Sequence, residues 1–153
     1  MNIDNLDLEI MKILQIDGRK SFRDIASILN KPESTIRSRY NQLIENRVLR
    51  VVAMPDPKVV GLDTMVIICL KMELIHLQEA AEKISMFKGV RFVACTSGGY
   101  DLILQVYMKS NDELINFMTN KLSKIEGIKE YNFSIELKLF KSTYDWLNEK
   151  EEI

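Results

Sequence analysis

The sequence predicts an α+β chain in two parts, three short helices followed by a β-α-β-β-α-β unit. Three observations carry that expectation. Apolar residues recur at helical spacing through the first 54 positions, then in strand-like runs separated by two helical stretches. Pro55-Asp56-Pro57 stands at the change, where two closely spaced prolines fix backbone angles and remove amide donors. In the second part KISMFKGVR, residues 83–91, is echoed by KLSKIEGIK, residues 121–129, with Gly89 and Gly127 standing 38 positions apart. The first part therefore reads as a winged helix-turn-helix. The second reads as a ferredoxin-like βαββαβ domain whose halves are related by the repeat. The expected division is 1–54, a linker at 55–63, and 64–153.

Each element follows from its own residues. Leu6, Ile10, Ile13 and Leu14 share one face of the first helix. Ser21 opens the second, with Asp24 three residues on in the manner of a capping box, and Phe22, Ile25, Ala26 and Leu29 form its apolar stripe. Lys31-Pro32 ends it. Glu33 or Ser34 starts the third helix, which buries Ile36, Tyr40, Leu43 and Ile44. Val48–Met54 reads as a short strand, the wing. Thr64–Met72, TMVIICLKM, is nearly all apolar and predicts a strand buried on both faces. A helix over His76–Phe87 points Leu77, Ala80, Ala81, Ile84 and Phe87 inward. Val90–Cys95 and Leu102–Met108 are strands on either side of Gly98-Gly99-Tyr100-Asp101, where Gly-Gly suits a two-residue hairpin loop. A helix over Asp112–Lys124 and a strand over Tyr131–Phe140 complete the order. In both copies of the repeat the glycine suits a left-handed helix C-cap.

Composition bounds the function. Hydrophobic residues at 46% and charged residues at 28% fit a soluble globular protein, and no run approaches the roughly 18 apolar residues of a membrane span. The start, MNIDNLDLEIMK, is unlike a secretory signal, so a cytoplasmic protein with no membrane partner is expected. Cys69 and Cys95 lie in apolar runs, which predicts free buried thiols rather than a disulfide or metal pair. The single histidine, His76, falls at a helix start, and Glu149, Glu151 and Glu152 form a charged tail. Neither supplies a catalytic set or metal-ligand spacing, so no catalytic residue, metal or cofactor is expected.

The net charge of −1 conceals an asymmetry. Residues 19–50 hold eight Lys and Arg against three acids, a local excess of five positive charges. A basic block in an otherwise acidic chain points to a polyanion partner for that block, and double-stranded DNA fits a helix-turn-helix. Stepping 100° per residue around the third helix puts Ser34, Ser38, Asn41, Gln42 and Glu45 opposite its core face, with Thr35 to one side. Arg37 and Arg39 flank the two edges, and Lys31 sits in the preceding turn. Arginine reaches guanine or phosphate, Asn and Gln pair with adenine, and Ser and Thr contact either. The bland alternative is a three-helix bundle with a solvated outer face.

These residues also carry a family resemblance. Leu6-Asp7, Ile13-Leu14, Asp17-Gly18-Arg19, Ile25-Ala26, Ser34, Thr35-Ile36, Arg39, Leu43 and Val48-Leu49 resemble the N-terminal domain of the Lrp/AsnC transcription regulators. Gly61 and the βαββαβ order resemble that family's effector and oligomerisation domain. Asn46 stands where the family usually has glycine, and Tyr40 where a smaller aliphatic residue is usual. The resemblance implies a sequence-specific regulator, a homodimer that assembles further, often into an octamer, and a small-molecule effector, usually an amino acid. It implies effector contacts at Gly98, Gly99, Tyr100 and Asp101, with Ser134 and Glu136 as a facing wall. An apolar uncovered sheet face agrees with a sheet-to-sheet dimer. Two other readings stand beside it: an architectural DNA-wrapping protein without effector, and an enzyme like the tetrapyrrole decarboxylases that share the architecture. The glycine hairpin itself reads either as a plain turn or as a binding site.

Overall fold

Helix α1 (Asn5–Ile16) begins where Asp4 and Asp7 exchange hydrogen bonds. The Asp7 amide donates to the Asp4 carboxylate at 3.0 Å and the Asp4 amide to Asp7 at 3.1 Å, a reciprocal capping box. The Ser21 hydroxyl caps α2 (Phe22–Leu29) by accepting the Asp24 amide at 3.1 Å, and it donates to the Asp24 carboxylate at 2.7 Å. The second bond of this cap thus runs between side chains. Asn30 closes α2 in a left-handed conformation, and α3 (Glu33–Glu45) starts directly after Pro32. Ile10, Ile25, Ile36 and Leu43 are completely buried where the three helices meet. Burying each such side chain contributes roughly 1.5–3 kcal/mol. Tyr40 is accommodated beside this core by Phe22, ring centroids 5.0 Å apart.

The wing does not form as a strand. Residues 48–54 are irregular, and Val51, Val52 and Met54 are exposed. The sheet of the described residues offers this segment no partner strand, and a lone strand would leave its amides and carbonyls without hydrogen bonds. The residue with positive φ after α3 is Arg47, not Asn46. Asn46 ends α3 with its side-chain amide donated to the Gln42 carbonyl at 2.8 Å.

The computed structural model describes residues 2–148, and the charged tail of Glu149, Glu151 and Glu152 lies outside them. The chain divides into two units. One joins the residues up to Met54 with the segment from Phe140, and the other is Pro55–Leu139. This boundary falls earlier at the C-terminal side than the 64–153 division expected from sequence. The reason is a return of the chain to α1. The Gln15 side chain donates to the Tyr144 carbonyl and accepts the Leu147 amide at 3.1 Å, and Asn148 donates to the Lys12 carbonyl at 3.4 Å. Leu147 packs against the helical core.

In Pro55–Leu139 the strands β1 (Thr64–Met72), β2 (Val90–Cys95), β3 (Leu102–Met108) and β4 (Ile128–Ile135) form one antiparallel sheet in the order β2-β3-β1-β4. Val66, Ile68, Leu70 and Met72 of β1 and Leu102, Leu104, Val106 and Met108 of β3 are buried in one core with α4 (Leu77–Ser85) and α5 (Asn111–Asn120). Short 3-10 turns flank these helices at Leu74–His76 and Leu122–Lys124. The opposite face is open in the single chain. Met65, Ile67, Cys69, Ile103 and Tyr107 are half-buried there, and Phe92 is exposed. β1 is therefore buried on one face and half-covered on the other, not buried on both. β4 starts and ends earlier than expected, and beyond the Glu136 amide, still bonded to the Met65 carbonyl, residues 137–140 leave the sheet.

The repeat is visible in the backbone. Gly89 and Gly127 both have positive φ, +90° and +81°, but they stand just before β2 and β4 rather than at a helix C-cap, which Met86 and Lys121 occupy. A Cβ at Gly89 would lie 2.8 Å from the Tyr107 carbonyl oxygen, and one at Gly127 would lie 2.6 Å from the His76 Cβ. Both cysteines are free, but Cys95 is exposed rather than buried.

Candidate functional site

Ile36 and Leu43 anchor α3 from inside, so Ser34, Arg37, Ser38, Asn41 and Gln42 face outward and exposed, with Thr35 half-buried at the side and Lys31 exposed in the turn. All eight predicted DNA-contacting residues therefore lie on or just before one helix. The two flanking arginines are held differently. Arg37 pairs with Glu33 at 2.8 Å, one turn back, and its guanidinium lies 4.8 Å from the centroid of the Phe22 ring. Both partners of that pair are about half exposed, so its contribution is small, about 0–1 kcal/mol.

Arg39 turns inward. Its Nη1 lies 2.9 Å from Asp4 Oδ2 and 3.3 Å from Asp7 Oδ2. Asp7 is completely buried, and the Arg39 side chain is 33% exposed. The Asp4 carboxyl is held below the ordinary aspartate range, first by the Asp7 amide and then by the charge and hydrogen bond of Arg39, against the opposing pull of desolvation. Arg39 thus joins the middle of α3 to the start of α1. Sequence reasoning placed it at an edge of the outward face because helical periodicity fixes an angle around the axis, not the partner a long side chain selects.

Lys20 and Arg23 were counted in the basic block but not singled out. They surround a depression of about 320 Å³ together with Ser21, Phe22, Glu33 and Arg37. The signal for them was their position around the Ser21 cap, where the amides of a helix start favour an anion.

In the other unit the β2–β3 connection is six residues, Thr96–Asp101, rather than a two-residue Gly-Gly turn. It closes through the Thr96 amide to the Asp101 carbonyl at 2.9 Å and the Thr96 hydroxyl to the Tyr100 carbonyl at 2.7 Å. Gly98 has φ +122°, and a Cβ at Gly98 or Gly99 would meet nothing within 4 Å. The hairpin tip is open backbone. Asp101 does not close its own turn with its side chain. Its carboxylate accepts the Met72 amide at 2.8 Å and the Lys71 ammonium at 3.2 Å, and its own amide donates to the Leu70 carbonyl at 2.8 Å. The Met72 amide chiefly, then Lys71 and the charge of Lys129, hold this carboxyl below the ordinary aspartate range despite partial burial.

Lys71 and Lys129 were not among the predicted residues. The available signal was that Lys71 is the single charge in TMVIICLKM. Ser134 and Glu136 are not brought to the hairpin within one chain. Ser134 pairs with Ile67, and the Glu136 amide donates to the Met65 carbonyl, whereas Leu102, next to Asp101, pairs with Leu70. They lie about 10 and 17 Å away along the strand direction. A groove of about 500 Å³ is lined by Ile115, Met118, Leu122, Ile125, Ile128 and Tyr131, and none of the six predicted effector residues lines it.

Among the described residues no helix is long and apolar enough to cross a membrane, and no group of His, Cys, Asp and Glu has the placement to hold a metal ion. Residues 3–44 match the AsnC-type helix-turn-helix domain, and residues 65–146 match the Lrp/AsnC ligand binding domain. The chain is 38% identical over 134 residues to an uncharacterized HTH-type transcriptional regulator of Pyrococcus furiosus, covering 87% of this chain and 90% of that one. It is 32% identical over 142 residues to the HTH-type transcriptional regulator FL11 of the same organism, covering 92% and 93%. The fold is shared with a Neisseria meningitidis transcriptional regulator solved with L-Met, at TM-score 0.86 and 20% identity over 94% of this chain and 96% of that one. It is shared equally with AsnC of E. coli, at TM-score 0.85 and 23% identity over 94% and 98%.

Proposed function

The chain belongs to the Lrp/AsnC family of DNA-binding transcriptional regulators, and from that premise we propose that it reads a specific operator with the outward face of α3 and answers to an amino acid effector. As a family of regulators with a ligand-binding domain, these proteins act on transcription and are not enzymes. The observation that carries the specific-reading part is the exposed row Ser34, Ser38, Asn41 and Gln42 above a seam in which Ile36 and Leu43 are fully buried. A rigid helix with short polar side chains fits the major groove and presents hydrogen-bonding groups to base edges. Lys31 and Arg37 supply phosphate or guanine contacts, since the surface pair of Arg37 with Glu33 exchanges readily for a phosphate.

The open sheet face favours a homodimer, and two recognition helices then address a two-fold site. Further assembly to an octamer follows the family pattern. The effector reading rests on the open backbone at Gly98 and Gly99 and on the adjoining charges of Asp101, Lys71 and Lys129. With both oxygens of Asp101 already engaged, its part is to hold the hairpin for a ligand bound by neighbouring amides and Tyr100. Ser134 and Glu136 would face such a ligand from another subunit.

The test is selection of duplexes from a random pool by the full chain, followed by titration of the selected duplex with and without each amino acid at two salt concentrations. A selected duplex should bind well above a scrambled one, and Asn41→Ala should weaken only the selected complex, by about 1–3 kcal/mol. Equal affinity for both duplexes would favour an architectural role. Unchanged binding with every amino acid would remove the effector reading.

A further inference from the structure

We infer that Arg39 is a positioning residue, which sets the recognition helix against α1 and makes specific reading possible without touching DNA. The inference rests on the operator-reading role of α3 and goes beyond it. Three observations carry it. Arg39 sits at the centre of α3, yet its Nη1 is within 3.4 Å of both carboxylate oxygens of Asp7 and 2.9 Å from Asp4 Oδ2. The acceptors are the two halves of the capping box that starts α1, so each is already fixed by a backbone amide of the other residue. Asp7 is the one buried polar side chain among the described residues, and every buried polar side-chain atom there has a partner.

The charges decide between positioning and contact. Two carboxylates converge on one guanidinium, which leaves no positive surplus at this edge of α3 for a phosphate. Arg37, on the other edge, faces a single exposed glutamate. The opposite edges thus have different duties: Arg37 is available to DNA and Arg39 is committed to the domain. Apolar packing of Ile36 and Leu43 sets the depth of α3. Charged hydrogen bonds from the Arg39 Nη1 to carboxylates at the start of α1, Asp7 being 32 residues away in sequence, add a directional restraint on the sliding and rotation of α3. Base reading needs placement to within about half an ångström, so loss of these bonds should be read out as lost discrimination.

The test uses the full chain, a duplex selected by it from a random pool, and a scrambled duplex of equal length. Asp7→Asn keeps the size and leaves the charge of Arg39 in place. Positioning predicts that Asp7→Asn lowers the ratio of selected to scrambled affinity by about tenfold. Scrambled affinity and the salt dependence of binding should stay as in the native chain. Arg39→Met, which removes the donor, should lower that ratio likewise and leave the salt dependence as it is. Asp4→Asn, which retains a good helix N-cap, should show a smaller loss without unfolding, and it decides the matter if Asp7→Asn does not fold. Ile10→Val serves as the control: it lowers the melting temperature and should leave the ratio unchanged. A direct DNA contact predicts the opposite pattern, with Asp7→Asn and Asp4→Asn binding as tightly as the native chain or tighter, and Arg39→Met lowering the salt slope by about one. That pattern, or an equal loss of discrimination in Ile10→Val, overturns the inference. If the native chain itself selects no duplex, the operator-reading role of α3 fails instead.

Discussion

Asp101 ties the β2–β3 hairpin to the end of β1 through one carboxylate, with Met72 and Lys71 as its donors. A carboxyl whose pKa is lowered on folding stabilises the native state above its unfolded value, and that contribution is lost as pH falls through the folded one. Stability from Asp101 is therefore full at neutral pH and declines on acidification below about pH 4. Asp101→Asn should lower the urea midpoint at pH 7 and flatten the part of the acid-dependent loss that native protein shows. Parallel acid profiles for the two proteins would show that folding does not favour the ionised Asp101 carboxylate. The sequence made Asp101 visible because it follows two glycines. It did not reveal the partners of the carboxylate, which come from β1, some 30 positions earlier. Arg39 was legible as a flank of α3 in the same way, and its turn toward Asp7 was not. Pattern specifies the face a residue occupies, and tertiary pairing specifies its partner.

Elements were legible in proportion to their apolar periodicity. The bounds of β1, β2 and β3 follow directly from runs such as TMVIICLKM and LILQVYM. The wing was misread because Val48–Met54 has strand composition but no strand to pair with, and hydrogen-bonded partners are not encoded locally. The end of β4 was misread for a related reason, since LKLF continues an alternating pattern after the pairing with β1 has stopped at Ile135. The apolar character of both faces of β1 is real, but the single chain covers only one. Ile67 is at the centre of the open face, opposite Gln105 and Ser134. Ile67→Lys should dissociate a sheet-to-sheet dimer, seen as a lower mass by sedimentation, while far-ultraviolet dichroism stays native. An unchanged mass would locate the interface elsewhere.

At the scale of the whole molecule, two domains and their order were legible from the change of periodicity at Pro55. The return of the segment from Phe140 to the helical unit was not, because it is held by the polar bonds of Gln15 and Asn148 and the lone apolar Leu147 rather than by a repeating apolar pattern. Cleavage within residues 55–63 should consequently leave two fragments that elute together in native gel filtration, since the later fragment keeps its hold on α1. Gln15→Ala combined with Leu147→Asp should let them part. Separation of the native fragments would show that the docking is too weak to matter.

The sheet brings its own two ends together, because the Glu136 amide bonds the Met65 carbonyl where β4 leaves and β1 enters. Pro55–Leu139 is therefore a loop whose closure is already achieved when the tail settles on α1. An unfolded loop of that length would make the same docking entropically costly, by an amount that changes only slowly with length. Order in the sheet thus makes order in the tail cheaper, although each unit has its own hydrophobic core.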